Sequence, residues 1–423
     1  MQCVTLETEI LTRRGWLSHE AVQPGDVTLG LNTATGRSEW TPITKVQRFA
    51  ATEMWRVGNR GWTADVSPDH LWWSDTEVRR SPETYTKCPE CGWGGRTDAR
   101  AVREGRTEAT PRAVSTHRGR VHHIKTPSVV EYRGEYVRTR DFGYGHRLLV
   151  AAPADSDGAR SLSSRDARLI AWLQGDGHLS TAYGQAGVEL VCNDCQQRAF
   201  ATLNGYRVHR AKVHGEPGLG SAGAAVPVGW DGVIYQSKPK MMRELRKLLV
   251  DVPHTEDVRV PRSPQQMPQH VFRLRRSFVT QLIRACPDVV NDPQAFVLSL
   301  STSQCKAWLD AMIDAEGHRM PGRKPGWAEF IRIAQVDGPL QDAIKLAVYL
   351  QGHRPTYSPN TAASRGFKPA GTVGMAGPHI APSMFDAAQL LPVQPAWSVH
   401  TNLGTWSARV RGQIFLTGSA TTD

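Results

Sequence analysis

Arg165-Asp-Ala-Arg-Leu-Ile-Ala-Trp-Leu-Gln-Gly-Asp176-Gly177-His178 and Cys305-Lys-Ala-Trp-Leu-Asp-Ala-Met-Ile-Asp-Ala-Glu316-Gly317-His318 are two versions of one pattern. Each is an apolar helix that ends in acid-Gly-His, with the glycine stopping the helix. The residues downstream repeat as well. Val233-Ile-Tyr-Gln236 is a short strand running into a helix Met241–Leu249, and Ile331-Arg-Ile-Ala-Gln335 runs into a helix Leu340–Leu350. The acid-to-Gln separation is 60 residues in the first copy and 19 in the second. The surplus is the size of a small module plus the Gly/Pro-rich tail Gly215–Gly229. The middle of the chain is therefore an internal repeat with an insertion in one copy.

The inserted stretch opens Cys192-Asn-Asp-Cys195, followed by Phe200, Tyr206, His209 and His214. Thirteen residues separate Cys195 from His209 and four separate the histidines. Zinc takes four soft or borderline donors in a tetrahedron, which a two-thiolate knuckle and a helix bearing two imidazoles supply. The stretch resembles the two-Cys, two-His zinc finger family, a ββα module over residues 189–215 whose core would be Phe200 and Tyr206. A second pair, Cys88-Pro-Glu-Cys91, precedes Val114, His117 and His122, which repeat the spacing of Tyr206, His209 and His214. Here 25 residues lie between Cys91 and His117, more than that family allows. Either the loop is expanded, or His123 or a different donor completes a zinc site in an insertion spanning 84–125.

The acid-Gly repeat resembles the LAGLIDADG (dodecapeptide-type) homing endonucleases over about residues 160–385. The resemblance implies an α+β fold with a pseudo-twofold axis between the motif helices. It also implies one catalytic acid from each helix, Asp176 and Glu316, holding Mg²⁺ at the scissile phosphates of double-stranded DNA. Two carboxylates at one place suit such ions, which activate water and stabilise the leaving oxygen. Gln236 and Gln335 would orient water, and Lys238, present in one copy alone, is a candidate transition-state cation.

The ends read differently. Cys3-Val-Thr-Leu-Glu-Thr-Glu-Ile-Leu-Thr-Arg-Arg-Gly-Trp, Val22-Gln-Pro-Gly25-Asp26 and Asn59-Arg-Gly-Trp62-Thr-Ala-Asp-Val-Ser67-Pro-Asp-His70-Leu-Trp are short strands punctuated by turns. They resemble the Hint (Hedgehog/intein) splicing domain, with Ser67 where that family usually has Thr. Trp397-Ser398-Val-His400-Thr-Asn-Leu-Gly-Thr405-Trp406 to Phe415-Leu-Thr417-Gly418 resembles its closing strands. The expected organisation is thus multidomain: an all-β Hint horseshoe split into residues 1–155 and 390–419, with the endonuclease nested between. The resemblance implies attack by Cys3 on the carbonyl of Gln2, protonation of the leaving amide nitrogen by His70, and orientation of the peptide by Ser67. At the other junction the family closes on Asn, whose side-chain amide cyclises. Here Gly418 is followed by Ser419, which has no amide nitrogen, so that step is expected to be lost. Ser398 stands where many relatives carry Asp or Cys.

Composition sets the outer limits. The chain has 423 residues, 40% of them hydrophobic, with 51 Lys and Arg against 40 Asp and Glu, a net charge of +11. That is a foldable chain rather than a disordered one, and its basic balance suits a polyanion. No apolar run is long enough to span a bilayer, and the first residues lack a signal-peptide pattern, so the expected location is cytoplasmic, as a monomer without membrane contact. Two CxxC pairs in a reducing compartment read as metal sites before disulfides. Three readings compete. The first is a homing endonuclease in a splicing-defective Hint shell. The second is a working intein without its host segments, and the third a zinc-finger DNA-binding protein on an inactive endonuclease scaffold.

Overall fold

The computed structural model describes residues 2–80, 87–94, 111–124, 129–158, 161–184, 190–191, 199–200, 203–215, 226–260, 267–322, 329–360 and 369–418. Strands from the two ends of the chain share one nine-stranded sheet. Its order is Gln389–Thr401, Val4–Thr5, Trp62–Val66, Arg37–Asn59, Val27–Asn32, Glu9–Thr12, Thr405–Val410 and Gln413–Gly418, with Gly15–Leu17 added on Glu9–Thr12. The 23-residue strand Arg37–Asn59 is long enough to pair in turn with Val27–Asn32, Gln389–Thr401 and Trp62–Val66. Because Gln389–Thr401 also pairs with Val4–Thr5, four of these strands close on themselves.

Aromatic packing explains why the two ends hold together. Trp62 stacks on Phe385 and meets Trp72 and Phe415 edge-on, with centroids 5.5–5.6 Å apart. Such buried rings dominate a core by area and add directional preference. Asp65, buried, is forked by Arg56 and by Arg411 at 2.7–3.0 Å, which ties the front strands to the last hairpin. Two bidentate guanidinium pairs satisfy the buried carboxylate that a single partner would leave exposed to a desolvation penalty.

The middle of the chain forms two four-stranded sheets. One comprises Gly177–Gly184, Val226–Gln236, His254–Arg259 and Gln269–Leu274; the other Gly317–Met320, Phe330–Val336, Arg354–Pro359 and Ala370–Ala376. In both, the spatial order is first, second, fourth, third, and a helix (Pro239–Leu248 or Pro339–Leu350) links the second strand to the third. The repeat seen in sequence is a repeat of topology. Both motif helices, Ser164–Gln174 and Thr302–Glu316, start at a serine capping box, Ser163 with Asp166 and Ser301 with Gln304. Each box stabilises its helix start by about 1 kcal/mol. The helices bury Leu169, Ile170, Trp172 and Trp308, Leu309, Met312 in one common core.

The nested block leaves and rejoins the ends at one place. Leu148–Leu149 pairs with His379–Ile380, and the Val150 N–H donates to Pro378 O at 2.9 Å. Pairing of the strand Leu148–Leu149 with the returning chain begins at His379. The same small sheet carries a long hairpin, Leu71–Arg80 against Val129–Arg138, paired over all ten positions. Most of the described residues outside the helices lie in strands, and no helix among them is long and apolar enough to cross a membrane.

Candidate functional site

Gly175 follows the first motif helix, and a β-carbon there would lie 2.9 Å from Ala315 Cβ and 3.1 Å from Glu316 Cγ. Its missing side chain lets the two helix ends touch. Gly177 and Gly317 start strands so tightly against Leu173 and Ile313 that a β-carbon on either would come within 2.8 Å of backbone. Asp176 and Glu316 are thereby brought together at the junction of the two sheets. Burial pushes both carboxyls up, the charge of Asp176 pushes Glu316 up further, and Lys238 opposes the shift at both. Two acids and one cation thus share one electrostatic site.

The glutamines diverge. Gln236 donates from Nε2 to Asp176 Oδ2 at 2.7 Å, while its Oε1 accepts the N–H groups of Ser237 (2.9 Å) and Lys238 (2.8 Å). One side chain therefore aims the carboxylate and fixes the start of the lysine. Gln335 instead accepts its neighbour's Val336 N–H at 2.9 Å. Gln174, two residues before Asp176, accepts from Trp308 Nε1 and donates to Val289 O, both at 2.9 Å. The equivalent residue in the second helix is Asp314, half-buried and pushed up by that burial. Sequence reading passed over this pair, although the equal spacing to the acids marks it.

The second cluster lies where the two ends of the chain meet. Cys3 is fully buried; its N–H donates to Ser67 Oγ at 3.2 Å, and the Ser67 N–H donates back to Cys3 O at 3.0 Å. Burial pushes the Cys3 thiol up, with Ser67 and Thr52 partly offsetting it. Three residues on, His70 Nε2 meets Thr417 Oγ1, and its Nδ1, also buried, has no hydrogen-bond partner among the described residues. Trp406 Nε1 donates to Gly418 O at 3.0 Å, and Gly418 is pressed against Leu71 O so closely that a β-carbon would clash at 2.3 Å. The turn Ser67–Leu71 thus touches both Cys3 and Gly418. A cavity of about 360 Å³ lined by Thr52, Glu53, Ser67, Asp69 and Arg140 adjoins it. Ser398 is buried in the strand opposite Gln47, and Ser419 lies outside the described residues. Sequence reading assigned no site role to Thr52 or Thr417, because short polar residues inside strands carry no periodic signal.

Desolvation pushes the His70 imidazole down to about 3 from an ordinary 6.5. Below pH 6.5 an unfolded chain takes up a proton that the folded site refuses. Stability is therefore complete above that pH and falls as pH drops towards 3, by about 3 kcal/mol at pH 4. His70→Gln keeps a polar side chain without this titration. Its thermal midpoint should fall less than the parent's between neutral pH and pH 4. Parallel curves across that window would show that the ring is not held neutral by burial.

A third cluster lies, in sequence, between the two strands of the long hairpin. The donor atoms of Cys88, Cys91, His117 and His122 all lie within 4.8 Å of one another. Cys91 Sγ is 3.2 Å from His117 Nε2 and 3.3 Å from His122 Nε2, near the ~3.6 Å that tetrahedral zinc sets between sulfur and nitrogen ligands. The Cys88 N–H donates to Trp93 O and the Gly92 N–H to Cys88 O, closing a knuckle whose Gly92 has φ +70°. Trp93 stacks on His117 at 4.2 Å, and Arg118 forks onto Glu90, fixing the helix Pro111–Val121 against the knuckle. His123 turns away with φ +56° and is not in the cluster. In the second Cys/His stretch, Cys192 and Cys195 lie outside the described residues, but His209 and His214 are carried by the helix Leu203–His214. Their rings sit 5.2 Å apart at 73°, against 5.2 Å and 72° for His117 and His122. Two sulfurs and two imidazoles are the soft donor set that zinc prefers, so Cys88, Cys91, His117 and His122 fit that ion.

No family model matches the chain, and neither does any curated protein. Among solved structures, it is similar to I-DmoI in complex with DNA and Mn, at 12% identity over 50% of this chain and 89% of that one, with a TM-score of 0.29. It is similar to the same extent to mesophilic variants of the homing endonuclease I-DmoI, at 11% identity over 50% of this chain and 88% of that one, TM-score 0.29.

Proposed function

We propose that the chain is a DNA endonuclease of the LAGLIDADG type nested in a Hint-like splicing domain, with zinc held by two inserted modules. The observation that carries the reading is the meeting of Asp176, Glu316 and Lys238 where two sheets of identical strand order join. Asp176 and Glu316 would hold divalent cations, Mg²⁺ by preference, whose chemistry is to activate water and stabilise the leaving oxygen. Half-buried carboxylates that repel each other are the hard, charge-rich donors such ions require. Gln236 holds Asp176 in one orientation, and Lys238 supplies positive charge where a phosphate would gather negative charge.

The Hint part of the reading is supported by the convergence of Cys3, Ser67, His70 and Gly418 on one turn. There the Cys3 thiol would attack the carbonyl of Gln2, forming the thioester as the amide C–N bond breaks, and neutral His70, whose Nδ1 has no partner among the described residues, would pass the thiol's proton to the leaving amide nitrogen. We assign 1–155 and 390–419 to that domain and 160–385 to the endonuclease. Cys88, Cys91, His117 and His122 would hold one zinc ion, and Cys192, Cys195, His209 and His214 another.

The deciding experiment incubates the protein with a library of random-sequence duplexes, with Mg²⁺ and with chelator, and sequences the cut ends. Enrichment of one long asymmetric site in the Mg²⁺ arm alone is expected, because the two half-domains differ in sequence. Absence of any metal-dependent enrichment would falsify the endonuclease reading.

A further inference from the structure

Part of the nine-stranded sheet is buried on both faces. Along Gln413–Gly418, Phe415 packs against Trp62 and Trp72, while Ile414 and Leu416 beside it share a core with the motif helices. The same alternation runs through Glu9–Thr12, where Ile10 joins the first core and Leu11 the second, and Val27–Asn32 adds Leu29 and Leu31 to the second. Strand side chains alternate between faces, so a sheet with water on one side would carry polar residues at these five places. Leu11, Leu29, Leu31, Ile414 and Leu416 are instead apolar and at most 3% exposed. The helix Pro339–Leu350, part of the segment assigned above to the endonuclease, lies against the last hairpin on this face.

One hydroxyl interrupts the apolar face. Ser407 is fully buried, and its Oγ donates to Leu29 O at 2.8 Å. Its proton is thereby spent, so the fully buried Tyr349 hydroxyl, 2.7 Å away, donates to it. A buried hydroxyl deprived of its partner loses more than the bond itself contributes, which makes the pair a fixed strut between helix and hairpin. Backbone bonds tie the same helix end and hairpin to one strand: the Ala154 N–H donates to Leu350 O at 2.8 Å, and the Leu416 N–H to Val150 O at 2.7 Å.

The strut meets the hairpin beside the site. Ser407 pairs with Leu416, and the next rung pairs Trp406 with Thr417. That rung makes both of the contacts described above, Trp406 Nε1 to Gly418 O at 3.0 Å and Thr417 Oγ1 to His70 Nε2. Proton transfer depends on placement, and a displacement of about 1 Å is enough to cost on the order of 100-fold in rate.

We infer that Tyr349 is a positioning residue for the site of Cys3 and His70: acting through Ser407, it sets the hairpin that presents Thr417 to His70. The nested block is then a working part of the splicing centre and not a passenger in it. The inference rests on the Hint reading above.

The test uses the full chain fused behind a reporter segment, carrying Tyr349→Phe, Thr417→Val or both. Tyr349→Phe removes one oxygen and keeps the ring, so the surrounding core stays filled. Thiol-dependent release of the reporter is timed well below each variant's thermal midpoint, beside Mg²⁺-dependent cutting of the selected duplex. Tyr349→Phe should slow release about three- to tenfold and leave cutting within about twofold of the parent. Thr417→Val should slow release at least about tenfold, because it frees the ring that moves the proton. The combined variant should match Thr417→Val within about twofold, since both changes break one chain of contacts. Release by Tyr349→Phe at the parent rate overturns the inference and leaves Tyr349 a core residue only. Slowing that multiplies in the combined variant, or cutting lost in step with release, also overturns it, because a general loosening of the core does both. A parent that never releases its reporter with thiol sinks the Hint reading itself, which the other outcomes leave standing.

Discussion

Asp176→Asn and Glu316→Gln are each expected to slow cleavage of the selected duplex by on the order of 10³-fold or more, while Kd for that duplex stays within about threefold of the parent. Both changes keep shape and volume, so the contact of Gly175 with Ala315 and Glu316 survives. What they remove is charge at the point where divalent ions would be held, and such ions act on the transition state more than on bound DNA. Burial is the main cause that pushes Glu316 up and the charge of Asp176 adds to it, so replacing either carboxylate by its amide removes a half-buried charge and the repulsion, and the variants should fold at least as well as the parent. Gel assays of cutting beside equilibrium binding on one substrate separate the two effects. Should both variants cut like the parent, the acids are misassigned. Should the parent bind and never cut, the reading of a zinc-finger DNA-binding protein on an inactive scaffold replaces this one.

Placed between two reporter segments, the unaltered chain should give no ligated product. Ser419 has no side-chain amide to cyclise, so the bond after it has no internal route to cleavage. On the proposed reading the front half of the site is retained: the Cys3 N–H donates to Ser67 Oγ, the Ser67 N–H donates to Cys3 O, and burial keeps His70 neutral. Added thiol should therefore release the segment before Cys3 by thiol exchange, faster as pH rises, because burial holds the Cys3 thiol above its ordinary value. Ser419→Asn, or an Asn inserted after Gly418, should recover cleavage at the back, since Trp406 already holds the Gly418 carbonyl and His70 the Thr417 hydroxyl just before it. Mass spectrometry of the fusions distinguishes all four species. Efficient ligation by the unaltered chain would make it a working intein with an unusual terminus.

The acid pair was legible because two helices ended in the same acid-Gly-His pattern, and repetition is a signal that no single motif gives. The histidine pairs were legible from spacing on a helix, where four intervening residues set the rings at one angle in both modules. Other features were not. Strand His254–Arg259 is mostly exposed and polar, so alternation could not announce it, and with it the strand order shared by the two sheets stayed hidden. Gln236 and Gln335 occupy equal places in the repeat, yet one reaches its acid and the other bonds its own neighbour. That difference is decided by packing around each strand end, not by the residues themselves. Likewise, Thr417 meets His70 across 347 positions of sequence, a separation that local pattern cannot bridge.

The pairing of Leu148–Leu149 with His379–Ile380 bears on the order in which the chain can fold. Bringing the strands near residues 150 and 378 together through an unfolded loop of roughly 230 residues costs about 5 kcal/mol of chain entropy. If the nested block folds first, its two ends already stand side by side, and the closing strands meet as if joined by a short turn. Once formed, that clasp makes the block's connection to the outer sheet local in space though remote in sequence. Assembly should then run from the inside outwards, with the sheet containing Cys3 and Gly418 completed last.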